Sequence, residues 1–137
     1  MSETPSNTTT KRLSLDPVEQ LRRAEFLLDV SRKVSGLTSL DEILAELVAI
    51  STQEIGAERG TLFLNDPTTG ELYSRIAQGI FKREIRVLND RGIAGHVFTQ
   101  NKSEIVTDAY ADSRFNKDVD EKTDFVTKSI LCVPLLT

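Results

Sequence analysis

The sequence predicts an α+β domain, and three observations carry that prediction. Apolar residues recur at helical spacing from Leu21 to Ile50, and the period falls to that of a strand after Gly56. Turns marked by Gly, Pro, Asn and Asp then cut the remainder into short strands around one brief helix. With 137 residues, 39% hydrophobic and 28% charged, the composition fits one globular domain with a single core.

Residues 1 to 15 are polar and poor in apolar side chains, so a disordered tail is expected there and the domain is expected over residues 16 to 137. Asp16 and Pro17 form a helix start, with Glu19 at the capping-box position. Leu21, Ala24, Leu28 and Ser31 make an apolar stripe, with Phe26 and Leu27 beside it, that either packs on its own domain or forms a dimer seam. A second helix opens at Ser39 with Glu42 three residues on, runs through Ile43, Leu44, Leu47, Val48 and Ile50, and stops near Gly56.

Thr61 to Leu64 and Leu72 to Ala77 read as an antiparallel hairpin around the turn Asp66 to Gly70, followed by a strand at Glu84 to Val87. Asn89 to Gly92 is a turn, Ala94 to about Gln100 a short helix, and Glu104 to Val106 another strand. The polar segment Thr107 to Thr123 is expected to hold a helical turn or more. Ser129 to Leu136, apolar on both faces, is expected to be a buried strand. Such a strand has no return partner before Thr137. A domain truncated at its C-terminus is therefore expected, with exposed apolar edges and weak ligand binding by the 137 residues alone.

Several function classes are disfavoured. The net charge is −4, and Arg22-Arg23 and Lys82-Arg83 are too sparse for a basic face, which argues against nucleic acid and anionic membranes as partners. No apolar run reaches membrane-spanning length, the N-terminus has no signal segment, and the lone Cys132 allows no internal disulfide, so the cytoplasm is the expected location. The single histidine, His96, has no nucleophile partner in a recognisable pattern and reads as a packed or pocket-lining imidazole. Asn116, Asp118 and Asp120 alternate as in a calcium loop. However, Lys117 and Lys122 interrupt them and Thr127 stands where a bidentate Glu is needed, so no metal is expected.

The chemistry concentrates in Gly92-Ile93-Ala94-Gly95-His96-Val97 and in Asp108 to Asn116. The first block reads as a glycine turn opening a helix whose unbonded amides cradle an anion. The second supplies carboxylate, hydroxyl and aromatic groups to cover it. Together they suggest a closed small-molecule pocket, in which Phe115 or the Ile93 side chain offers apolar contact to a purine.

Arg59 to Asp66, Glu84 to Val87 leading into Gly92 to Val97, Asp108-Ala109-Tyr110, and Ser129 to Leu135 together resemble a GAF domain over roughly residues 18 to 137. The resemblance is to the GAF domains of cyclic-nucleotide phosphodiesterases and cyanobacterial adenylate cyclases in particular. It implies a GAF-like, PAS-like antiparallel sheet with two N-terminal helices on one face and a ligand-covering layer of loops and short helices on the other, the last strand and closing helix missing. It further implies ligand contacts at Thr61, at Ile93 and Ala94 through backbone amides, and at Asn116, Asp120, Thr123 and Thr127.

The implied ligand is cAMP or cGMP, with no other cofactor required. The implied role is a regulatory sensor controlling an attached signalling output domain, paired with a second copy through the N-terminal helices. The chain itself is then not an enzyme but a regulatory piece of an adenylate cyclase, phosphodiesterase or histidine kinase. Ala77 and Gln78 stand where binding members often place an aromatic and an acidic residue, so the choice between cAMP and cGMP stays open. Two alternatives stay open as well. One is a GAF dimerisation or signal-relay domain without ligand. The other is a tetrapyrrole photosensor, which would want a cysteine beside a histidine where Cys132 is followed by Val133.

Overall fold

Asp16 and Pro17 do open a helix: α1 (Pro17–Ser35) has its proline in the first turn, where the missing N–H costs nothing. The computed structural model describes residues 16–78 and 84–136, so the polar tail and Lys82-Arg83 lie outside the described residues. Two compact units are present, one up to Leu37 and one from Thr38. In α1 the Asp16 side chain makes no cap hydrogen bond, so the expected capping box is not built. Exposed pairs of Glu19 with Arg22 and Arg23, and of Asp29 with Lys33, support the helix at its ends. No residue of α1 is buried, and its half-buried apolar positions are Phe26, Val30 and Val34 rather than the predicted Leu21–Leu28 stripe.

The second unit begins with the capping box that the sequence predicts. Ser39 Oγ accepts from the Glu42 N–H at 3.2 Å, and the Glu42 carboxylate accepts from the Ser39 and Thr38 N–H groups at 3.3 Å. Those bonds hold the Glu42 carboxyl below its ordinary pKa. They start α2 (Leu40–Ile55), which ends at Gly56 with φ 67°, a left-handed cap that favours glycine.

Three antiparallel strands follow: β1 (Thr61–Asp66), β2 (Glu71–Ala77) and β3 (Arg86–Leu88), in the order β1-β2-β3. The predicted third strand thus begins later, at Arg86, although Ile85 already pairs with Ser74 through Ser74 N–H to Ile85 O (2.9 Å) and Ile85 N–H to Ser74 Oγ (2.8 Å). α2 lies against β2. The junction is close at Gly60, where a Cβ would sit 2.5 Å from the Thr52 methyl and 2.9 Å from a Val48 methyl. Gln78 ties the same corner, accepting from Gly60 N–H at 2.8 Å and donating to Thr52 Oγ1 at 3.3 Å. This structural role falls at one of the positions where the sequence departs from binding members of the family it resembles.

The rest comprises α3 (Gly92–Gln100), β4 (Glu104–Val106), a 3-10 turn (Ala109–Ala111), α4 (Lys117–Thr123) and β5 (Ile130–Cys132). β4 and β5 pair antiparallel as a separate two-stranded sheet, Glu104 opposite Cys132 and Val106 opposite Ile130. The expectation of a long buried strand from Ser129 to Leu136 is corrected: β5 spans three residues, and Leu131, Val133, Leu135 and Leu136 are exposed. An apolar run signals burial only when both faces are covered. α3 packs on β3 and β5. The buried apolar residues of this unit are Ile50, Leu72, Ile93, Val97, Val106 and Ala109, so α3 and the start of the 3-10 turn help form the core. Among the described residues no helix is long and apolar enough to cross a membrane.

Candidate ligand site

The mouth of α3 is placed by the hairpin. Asn89 donates its N–H to Gly70 O (3.0 Å) and its side-chain amide to Asn65 Oδ1 (2.9 Å), which fixes the turn that leads into the helix. Gly95 presses on this turn: a Cβ there would lie 3.1 Å from the Asp90 carbonyl carbon and 3.2 Å from Asn89 backbone atoms. Gly92 has φ +70°, strained for any residue with a Cβ. The helix therefore starts at Gly92, two residues before the predicted Ala94.

At this mouth the chain supplies no cap. Arg91 occupies the cap position with no side-chain hydrogen bond, and the first helical bond is Gly95 N–H to Arg91 O at 3.1 Å. Among the described residues the Ile93 and Ala94 N–H groups meet no acceptor, and Arg91 has no ion pair. Ile93 is buried and Ala94 half-buried, so the two amides belong to a recessed helix end carrying partial positive charge.

Residues 108–127 come back onto that end. The Arg114 carbonyl oxygen lies 3.6 Å from where a Gly92 Cβ would stand, in ordinary van der Waals contact. Several of their polar groups bond within the segment. Asp120, buried to 6% exposure, accepts from Tyr110 OH (2.8 Å), Thr127 N–H (2.7 Å) and Thr127 Oγ1 (2.6 Å). Burial pushes the Asp120 carboxyl upward in pKa, but the Thr127 and Tyr110 bonds outweigh it and leave it lowered. Tyr110 in turn is raised, by donating to that carboxylate. The Tyr110 and Phe115 rings pack at 5.3 Å between centroids.

The predicted contact residues fall into groups. Ile93 and Ala94 form the mouth, and Phe115 adjoins it in sequence through Arg114. Asp120 and Thr127 are bonded to each other. Asn116 is exposed and caps α4, its side-chain oxygen accepting from Asp118 N–H at 3.0 Å. Thr61 is exposed at the start of β1, opposite Ala77, and no described contact joins it to the other groups. Thr123 closes α4, and its side chain lies outside the described residues.

Sequence reasoning missed Tyr110 as an anchor and Arg114 as a bridge. Arg114 donates to Asp112 through Nε (3.0 Å) and a terminal nitrogen (2.7 Å), and to Glu104 Oε1 at 3.0 Å. The Asp112 carboxyl is held at about 2 by that guanidinium. Asp112 and Arg114 stand two apart in sequence, a visible signal, but Glu104 is ten residues away with no pattern to link it.

His96 Nε2 lies 3.7 Å from Glu104 Oε1. Cys132 is half-buried on β5, and burial raises its thiol pKa, which makes it a poor nucleophile. Among the described residues no group of His, Cys, Asp or Glu is arranged to hold a metal ion.

Comparison with known proteins gives a consistent picture. A family profile described as GAF domain matches residues 39–137. A probable 3',5'-cyclic phosphodiesterase, pde-5, of Caenorhabditis elegans is 34% identical over 133 residues, covering 86% of this chain and 18% of that protein. A dual 3',5'-cyclic-AMP and -GMP phosphodiesterase 11 of Drosophila melanogaster is 28% identical, covering 91% of this chain and 10% of the relative. The chain thus spans less than a fifth of the curated relatives it matches.

Among solved structures, the GAF domain of a phosphoenolpyruvate-protein phosphotransferase from Coxiella burnetii aligns with TM-score 0.73 at 18% identity, covering 85% of this chain and 71% of that one. Free methionine-R-sulfoxide reductase from Neisseria meningitidis aligns with TM-score 0.66 at 23% identity, covering 90% and 70%. At such identities these two likenesses speak to the fold.

Proposed function

The chain belongs to the GAF domain family, and from that premise we propose that it is a regulatory sensor domain whose site takes a cyclic nucleotide, cAMP or cGMP, and controls an attached signalling output. The observation that carries the reading is the mouth of α3. Two recessed amides that meet no acceptor among the described residues, beside an arginine that makes no ion pair among them, offer a singly charged cyclic phosphate hydrogen bonds and favourable charge. Curated relatives described as cyclic phosphodiesterases support the ligand class.

In this reading Phe115 or Ile93 packs against the purine. The Thr127 hydroxyl, whose proton points to Asp120, serves the ligand as an acceptor, and Asn116, Thr61 and Thr123 complete the rim. The ligand acts by binding one state of the covering segment better than the other, so affinity and switching are linked. The domain works in the cytoplasm without a metal or further cofactor.

A second reading has one observation in its favour. α1 buries none of its residues, with Leu21 60% and Leu28 58% exposed, as a helix that pairs with its counterpart in a second copy would. The dimer is compatible with the sensor and also with a signal-relay domain that binds nothing. A thermal-shift screen at millimolar cAMP, cGMP and biliverdin, with mass measured in parallel, separates the readings. Stabilisation by one nucleotide is expected. A visible absorbance band with biliverdin would select a photosensor, and no shift with a dimeric mass would select the ligandless relay.

A further inference from the structure

The segment over the site is tied more tightly to itself than to the rest of the domain. Inside it, Asp120 collects Tyr110 and Thr127, which lie ten residues before it and seven after it, while Asn116 caps α4 and Phe115 N–H reaches Asp112 O at 3.1 Å. Its neck is closed by Ala109 N–H to Lys128 O at 2.8 Å, beyond the last β4–β5 pair, Val106 with Ile130.

Toward the rest of the domain it makes charged contacts, and Arg59 and His96 also act electrostatically on Asp120 and Asp112. Arg59 stacks over the Phe125 ring at 4.1 Å, and Arg114 donates to Glu104 on β4. Charge-assisted bonds outweigh a cation–π contact at a partly exposed ring, so Arg114–Glu104 is the stronger tie. The Glu104 side is prepared for it. Its Oε2 is buried and lacks an aligned hydrogen bond, although Arg114 approaches it to 2.8 Å.

We infer that residues 109–127 form a preassembled cover that moves as one body about the Ala109–Lys128 neck, and that Arg114 gripping Glu104 is the catch that keeps it shut over the mouth of α3. Arg114 is a positioning residue in this device. Its carbonyl lies against Gly92 while its guanidinium holds the catch, so releasing Glu104 frees the backbone that covers the amides. The consequence for nucleotide exchange rests on the ligand reading above, whereas the mechanics of the cover do not.

Hydrogen exchange on the full 137-residue chain without ligand tests the mechanics, comparing the wild type with Glu104→Gln and Arg114→Lys. Removing the charge at Glu104 is expected to accelerate exchange about tenfold across residues 109–127 together while α2 and β2 are unchanged. Arg114→Lys, which keeps one donor for Glu104, is expected to fall between. Unchanged exchange in Glu104→Gln, or acceleration confined to residues 112–114, overturns the inference; unchanged α2 protection shows that the variants fold.

Stopped-flow measurement with cGMP and cAMP then reads the catch directly, because both association and dissociation should speed up in Glu104→Gln. Should the cover open as one body and neither nucleotide bind the wild type, the cover stands and the ligand assignment falls.

Discussion

Among the described residues two backbone amides at the mouth of α3 meet no acceptor and Arg91 meets no carboxylate, whereas in the covering segment the Asp120 carboxylate takes three hydrogen bonds from its own segment. The two halves of the candidate site are satisfied in opposite ways. Buried polar groups left without partners cost free energy, and a helix end leaves its first amides open to a partner from outside. Groups that hold a shape must be satisfied beforehand. The difference agrees with the proposal that the helix end takes the ligand, and it gives Asp120 a part in holding together the residues that surround it.

Removing the Asp120 carboxylate should therefore have the largest effect. Asp120→Ala leaves the Tyr110 hydroxyl, the Thr127 N–H and the Thr127 hydroxyl without their acceptor in a partly buried place. A loss of about 2–3 kcal/mol in urea unfolding is expected at unchanged m-value. Asp120→Asn should be nearly as damaging, since its amide turns a donor toward donors. A loss below about 0.5 kcal/mol would place Asp120 in the class of ordinary surface substitutions and dissolve the contrast.

The same contrast explains what was legible in the sequence. Ser39 with Glu42, Gly56 and the turn from Asp66 to Gly70 act over two to four residues, and the structure places each as the sequence predicts. The α3 mouth was equally visible, because its chemistry is backbone chemistry set by Gly92. The cover was not. Tyr110, Asp120 and Thr127 meet across a loop without a period, and Asp, Asn and Thr are common in any loop.

Local signals also failed where tertiary context decided. Asp16-Pro17 with Glu19 has the form of a capping start but makes no cap bond, and the run at Ser129 to Leu136 leaves four of its apolar side chains exposed. Glu104 carries no mark in the sequence of its role as the anchor for Arg114.

Acid should loosen the cover through its depressed carboxyls. Asp112 is held at about 2 by the Arg114 guanidinium, and Asp120 is also lowered. A carboxyl depressed in the folded state contributes stability above its unfolded pKa of about 3.9 and loses it as pH falls through the folded value. The effect thus belongs between about pH 4 and pH 2. Tyrosine fluorescence is expected to report loosening around Tyr110 in that window, and Asp112→Asn should remove part of the transition and shift the remainder toward Asp120. A transition with the same midpoint and amplitude in Asp112→Asn would detach the Arg114 bridge from the stability of the cover.

The smallest change in stability carries the sharpest statement about the mouth. A carboxylate introduced by Ala94→Asp stands in the first turn of α3, where it supplies the acceptor the helix lacks and complements its dipole. The domain should gain about 0.3–1 kcal/mol. The same charge repels a cyclic phosphate from those amides, so affinity for cAMP or cGMP should fall by tenfold or more, an increment of about 1.4 kcal/mol. Ala94→Asn, of similar shape and no charge, should lower affinity far less. Strain or misfolding would move stability and affinity in one direction, whereas an anion site moves them apart. Equal affinities for the wild type, Ala94→Asn and Ala94→Asp would mean that the amides at this helix end have no part in holding the nucleotide.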